Sequence, residues 1–213
     1  MQHPDKDPVL TDIIRELKKK HRCHTILLCG SRARGLVTST SDYDVVGVRR
    51  SGEKTRLAKK KNGAYWDVSI HPEKSLQKLH DGHFGWKDAQ LLYSESNYGR
   101  QLLCRVAAHI KKPFKPNPQY EIDVLKVWAQ KQLDRCRIND INGLFRRAEF
   151  QMSLVDHYFY VRQMRFWGPK AGLAWLAEHD PKTFKLIQRA LKHPTNISFL
   201  KAAAKSVYQV PLS

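Results

Sequence analysis

The 213-residue sequence lacks any apolar run long enough to span a bilayer, and Met1 to Asp7 hold no apolar signal core. The expectation is therefore a soluble, cytoplasmic protein with no membrane partner. Its four cysteines, Cys23, Cys29, Cys104 and Cys136, form no CxxC pair, which speaks against a disulfide framework or a zinc site. There is no internal repeat and no low-complexity tract. Acidic residues are scarce: 20 Asp plus Glu stand against 38 Lys plus Arg, a formal charge of +18. That imbalance repels a polycationic substrate unless a local acidic pocket overrides it, and it attracts polyanions such as RNA or DNA.

Two regions differ in pattern. Asp7-Pro8 reads as a helix cap followed by a first-turn proline, with Val9, Ile13 and Leu17 at helical spacing beside Leu10 and Ile14. Lys18-Lys19-Lys20-His21 suits the negative end of that helix. Thr25 to Cys29 reads as a buried strand, Tyr43 to Val48 as a second and Ala64 to Ile70 as a third. Arg49 to Gly63, polar and glycine-containing, reads as a long hairpin loop, and residues 72 to 110 as helix and loop. The proline-rich stretch 113–118 reads as a linker between a domain over 1–112 and a helical domain over 119–213. In the latter, Ile122, Leu125, Ala129, Leu133 and Cys136 line one helix. Leu144, Ala148, Met152, Val155, Phe159 and Arg162 line a second, and two or three shorter helices follow Trp167-Gly168-Pro169.

The chemistry concentrates in Gly30-Ser31-Arg32-Ala33-Arg34-Gly35, then Asp42-Tyr43-Asp44, then Asp67. A strand that stops at Gly-Ser and turns into a helix leaves backbone N–H groups free to hold phosphate. Gly30 lets an anion approach closely, the Ser31 hydroxyl adds a donor, and Arg32 and Arg34 are cations suited to phosphate. Asp42 and Asp44, two apart, point to one side of a strand. Paired carboxylates repel unless a cation sits between them, and an all-oxygen set suits Mg²⁺ or Mn²⁺ better than zinc. Asp67, between Trp66 and Val68 in an apolar strand, is costly there unless paired or metal-bound. Separately, each feature has an ordinary reading as a turn, a cap or a misplaced strand; their order is what carries the inference.

Gly30-Ser31, ten intervening residues, then Asp42-x-Asp44 resembles the signature of the DNA polymerase β-like nucleotidyltransferase superfamily, most of all its small bacterial minimal and kanamycin-nucleotidyltransferase-like members. The resemblance covers residues 25 to 70. It implies an α+β fold, a small mixed β-sheet with flanking helices, followed by a C-terminal α-helical bundle. It also implies that Gly30 and Ser31 hold the triphosphate and that Asp42, Asp44 and Asp67 form the metal site, with Mg²⁺ or Mn²⁺ as cofactor and an NTP, ATP by preference, as co-substrate. The expected reaction moves a nucleoside monophosphate to an acceptor hydroxyl with release of pyrophosphate. The acceptor class stays open between an RNA end, a protein and a small molecule such as an antibiotic, with the charge against a cationic aminoglycoside. The alternative is an inactive relative that binds RNA or a partner protein. A homodimer also stays open.

Weaker likenesses extend the match. Leu91-Leu92-Tyr93 with Asn97-Tyr98-Gly99 is similar to the segment that follows the core in such enzymes. Arg146-Arg147-Ala148-Glu149 with Trp167-Gly168-Pro169-Lys170 resembles their helical domain, where a carboxylate can serve as acceptor-side base. Glu149 is the candidate, or else a solvated residue among arginines. The basic loop with Arg49, Arg50, Lys54 and Lys60 is either a solvated loop or a nucleic-acid track beside the site. His80-Asp81-Gly82-His83 reads as a polar turn rather than a metal site, and Trp86, Trp128, Trp167 and Trp175 as core rather than a nucleoside pocket.

Overall fold

The computed structural model describes residues 7–209; residues 1–6, where the sequence was searched for a signal core, lie outside them. The chain divides between Lys112 and Pro113 into two compact units. It is an α+β protein with a mixed sheet in the first unit and helices alone in the second. Among the described residues no helix is long and apolar enough to cross a membrane.

In the first unit, strands β1 (Thr25–Leu28), β2 (Tyr43–Arg49), β3 (Thr55–Lys61), β4 (Ala64–Pro72) and β5 (Gln90–Ser94) lie in the order β3-β4-β2-β1-β5. β2 and β4 pair in parallel, and every other neighbouring pair is antiparallel. Both faces of the sheet are covered, which explains why β1 is buried throughout rather than alternating. On one face Ile26, Leu28, Val45, Val68 and Ile70 pack with Leu10, Ile13 and Leu17 of helix α1 (Pro8–Lys19). On the other, Leu27, Val46 and Val48 pack with Leu102 and Val106 of α3 (Tyr98–Ile110). Between β1 and β2 lies α2 (Gly30–Ala33), a single turn.

Two strands depart from the sequence reading. The expected hairpin loop over 49–63 contains β3, which turns back antiparallel along β4 and so lets β4 run parallel to β2. Its inward positions, Leu57, Lys59 and Lys61, are mostly lysines, so hydrophobic alternation is hidden. The lysines are nevertheless held: Lys59 Nζ lies 2.7 and 2.8 Å from the Glu16 carboxylate oxygens and 4.5 Å from the Trp66 ring centroid, and Lys61 pairs with Asp12 at 3.2 Å. Lys59 holds the Glu16 carboxyl below its ordinary pKa. β5 is the second departure, lying in a segment read as helix and loop.

The buried row of α1 is Leu10, Ile13 and Leu17, with Val9 only half-buried. Asp7 caps the helix by accepting from the backbone N–H groups of Val9 and Leu10.

The second unit consists of α4 (Gln119–Cys136), α5 (Ile141–Val161), α6 (Pro169–His179), α7 (Pro181–Lys192) and α8 (Ile197–Tyr208). Ile122, Ala129, Leu133 and Cys136 are buried on α4, with Leu125 half-buried. On α5 the expected stripe is wrong in its first half: Leu144, Ala148 and Met152 are exposed, and Arg147, Phe150, Gln151 and Leu154 face inward. The polar pair belongs there because each caps backbone that would otherwise be stranded. Arg147 donates to the Cys136 carbonyl at 2.7 Å, and Gln151 to the Ala190 and Pro194 carbonyls at 3.1 Å each.

His71, at the end of β4, is 4% exposed and stands edge-on to Trp86. Burial, then the charges of Lys54, His83 and His80, push its pKa down to about 4. An unfolded histidine titrates near 6.5, so the stability that His71 contributes is complete above about 6.5 and is lost as pH falls towards 4. The shift corresponds to about 3 kcal/mol at most. Denaturant melts of the wild type are expected to weaken between pH 7 and pH 4.5, and His71→Gln should flatten that limb. An identical slope in the variant would assign the effect to other groups.

Candidate active site

The site grows from the end of β1. The Cys29 N–H donates to the Asp44 carbonyl at 2.7 Å, tying the strand end to β2. Gly30 then adopts φ +67°, and a Cβ placed there would sit 1.9 Å from Asp44 Oδ2. Only glycine meets both conditions, so the Asp44 carboxylate lies directly against the Gly30 backbone. The Ser31 hydroxyl donates to Ser41 Oγ at 3.3 Å, and that oxygen also accepts from the Thr38 N–H.

Arg32 is engaged inward. Its Nε donates to the Asp42 carbonyl and its Nη2 to the Ser41 carbonyl, both at 2.9 Å, while its guanidinium stacks 3.6 Å from the Tyr43 ring centroid. The Tyr43 hydroxyl in turn donates to Asp7 Oδ2 at 3.0 Å. Arg32 therefore braces the turn that presents Asp42 and Asp44, a role its sequence position beside a phosphate cradle does not reveal. Arg34 ends the single turn of α2, exposed, with Asp88 at 3.8 Å. Because α2 is one turn long, any macrodipole at its start is small, and an anion at this turn would depend on local N–H and hydroxyl donors.

The parallel register sets Asp44 directly beside Asp67, and Asp42 lies one residue before β2. Carboxylate oxygens of Asp42, Asp44 and Asp67 all lie within 4.8 Å of one another, and each residue is partly exposed. Among the described residues these three form the group able to hold a metal ion. Their chemistry fits a hard divalent cation: oxygen donors throughout, a local excess of negative charge, and an open side.

Asp67 has a further partner that the sequence reading missed. Arg56 of β3 grips it in bidentate fashion, Nε to Oδ1 at 2.8 Å and Nη2 to Oδ2. This hydrogen bonding, working against partial burial and aided by the guanidinium charge, holds the Asp67 carboxyl below its ordinary pKa. Ala58 is the residue of β3 registered opposite Asp67. Without β3 in the reading, no sequence signal connects Arg56 to Asp67.

The other candidates are scattered. Arg49 ends β2 and Arg50 follows it, five residues beyond Asp44 and roughly 17 Å along the strand. Lys54 precedes β3 at that same far end, since Thr55 pairs with Ile70. These residues are not beside the aspartates, which corrects the placement expected from a simple loop. Lys60 is at the aspartate end, opposite Tyr65 and 5.0 Å from its ring centroid. Glu149 is exposed on α5 of the helical unit, 3.7 Å from Arg146. His80 caps a 3₁₀ turn, its Nδ1 accepting from the Gly82 N–H at 3.1 Å. Trp86 is buried, Trp128 and Trp175 pack on the helical core, and Trp167 is 37% exposed.

No protein-family model matches the chain, and no curated protein matches it significantly. Among solved structures it is similar to a nucleotidyltransferase-like protein from Exiguobacterium sibiricum 255-15, with 11% sequence identity and a TM-score of 0.42 over 93% of this chain and 74% of that one.

Proposed function

We propose that the chain transfers a nucleoside monophosphate from a nucleoside triphosphate, ATP by preference, to an acceptor hydroxyl in the manner of the polymerase β-like nucleotidyltransferases. The observation that carries this is the contact of the Asp44 carboxylate with the Gly30 turn, with Asp67 in register beside it. A phosphate-binding turn and a three-carboxylate cluster are thereby parts of one surface.

Asp42, Asp44 and Asp67 would hold Mg²⁺ or Mn²⁺, which, when bound, offsets triphosphate charge and acidifies the acceptor hydroxyl. The turn at Gly30 and the Ser31 hydroxyl orient the phosphates, and Arg32 keeps the aspartates at a fixed distance from them. In the reaction a bond forms between the acceptor oxygen and the α-phosphorus. The bond from that phosphorus to the bridging oxygen breaks, and its electron pair leaves on pyrophosphate. Asp67 would either ligate the ion that activates the acceptor hydroxyl or receive its proton. A carboxylate gripped by a guanidinium is a weak base, so Arg56 must release Asp67 first. Freed, the Arg56 guanidinium would turn its charge from Asp67 to the anionic substrate. The +18 charge favours a polyanionic or protein acceptor over a cationic small molecule.

The test is transfer from each α-labelled NTP with Mg²⁺ or Mn²⁺, offering total RNA, cell protein and hydroxylated small molecules separately. Label entering one pool is expected and names the acceptor class. No label, together with no metal-dependent NTP binding, would leave a binding protein that keeps the architecture without the reaction.

A further inference from the structure

At the end of the sheet remote from the aspartates, the last turn of α1, the start of β1 and the end of β2 surround a groove of about 730 Å³. Lys18, Lys20, Arg22, Arg49 and Arg50 line it, with Glu95 as an acidic neighbour. None of the five cations forms an ion pair among the described residues. Their concentration has a cost: burial, aided by the charges of Arg49 and Lys20, holds His21 below its ordinary pKa despite Glu16.

Two backbone features display this charge. Arg22 adopts φ +52°, a left-handed conformation that is strained for a non-glycine residue. Gly52, at φ +106°, leaves room for Arg49: a Cβ there would lie 3.0 Å from the guanidinium carbon. Arg49 donates from Nη2 to the Glu53 carbonyl, while its Nε is buried without a partner. Lys18 rests 3.8 Å from the Tyr93 ring centroid. The groove thus gathers five cations, of which Lys18 and Arg49 are held by ring and carbonyl contacts rather than by ion pairs among the described residues.

We infer that this groove docks the phosphate backbone of a base-paired nucleic acid. Its volume and its five separate cations exceed what one phosphate needs. Phe, Tyr and Trp are absent from its lining and His24 is buried, so beyond the half-buried His21 it offers little platform for unstacked bases. Recognition of a duplex needs none, because its bases are paired inward and its phosphates outward. The binding stands independently of the transfer reaction. It rests on the proposed reaction only in that the docked strand would then be the acceptor, held roughly five base steps, about 17 Å, from Asp44.

The experiment uses the full chain, a labelled RNA hairpin and a DNA hairpin of the same sequence, with anisotropy measured across a salt series. Arg22→Glu/Arg50→Glu changes exposed side chains and should leave circular dichroism unchanged. It is expected to weaken hairpin binding at least roughly tenfold and to lower the log–log salt slope by about 2. Lys182→Glu/Lys185→Glu on α7 makes the same charge change elsewhere and should have much less effect. Tighter RNA binding would name RNA, and equal binding would name the backbone common to both; either supports the docking. Absence of hairpin binding by the wild type, equal loss in the two variants, or displacement of the hairpin by inorganic triphosphate at equal phosphate concentration would overturn it. Metal-dependent ATP binding, measured in parallel, reports separately on the aspartate site.

Discussion

Asp44→Ala is expected to reduce nucleotidyl transfer by roughly a thousandfold or more while the protein stays folded. Asp44 occupies the middle of the cluster, against Gly30 on one side and in register with Asp67 on the other. Removing its carboxylate takes away a proposed cation ligand and the group that lies against the Gly30 turn. It also removes like-charge repulsion: carboxylates whose oxygens lie within 4.8 Å of one another repel by roughly 1–3 kcal/mol or more, depending on how much water screens them. The metal-free variant should therefore melt no earlier than wild type. The clearest reading comes from Mg²⁺ titration. Wild type should gain thermal stability because the folded state binds the ion, and Asp44→Ala should gain little. Full transfer by the variant, or an undiminished Mg²⁺ response, would remove Asp44 from the site.

Gly30→Ala should impair transfer nearly as much, but with the opposite effect on metal-free stability. The new methyl would meet Asp44 Oδ2 at 1.9 Å, and φ +67° is strained for alanine. Asp44 cannot yield by moving its backbone, because its carbonyl accepts from the Cys29 N–H at 2.7 Å. The carboxylate must rotate out of the cluster. Transfer is expected to fall by roughly two to three orders of magnitude, with a loss of about 1–3 kcal/mol in folding stability. Gly30→Ala/Asp44→Ala then distinguishes clash from general damage. With the carboxylate gone, part of the lost stability should return, so the two changes will not add. Strict additivity would show that the Gly30 turn and Asp44 are not in contact.

The cluster was legible in the sequence because its parts are close in the chain or carried on apolar strands. Gly30-Ser31 ends a strand made of Thr25, Ile26, Leu27 and Leu28, and Asp42-Tyr43-Asp44 opens the next. What escaped was held by polar side chains in inward positions. Lys59 and Lys61 fill a row of β3 that a hydrophobic pattern would mark, and without β3 the Arg56–Asp67 pair is invisible. On α5, Arg147 and Gln151 take inward places because two helix ends need donors, which shifts the apolar stripe onto the wrong residues. The basic residues of 49–54 moved away from the aspartates for a topological reason. β2 carries the chain from Asp44 to the other end of the sheet, so Arg49, Arg50 and Lys54 lie there, and β3 then brings Lys60 back to the aspartate end.

The lysines of β3 have one more consequence. β3 is the outermost strand on its side of the sheet, so one row of its backbone N–H and C=O groups has no strand to pair with. A bare edge of that kind recruits strands from other molecules and seeds aggregation. Lys59 and Lys61 are paired with Glu16 and Asp12, which leaves the exposed Lys60 as the lysine charge that a second copy approaching in the same way meets. The lysine run that hid this strand from pattern reading thus also leaves a charge at its edge, a feature that disfavours pairing edge to edge.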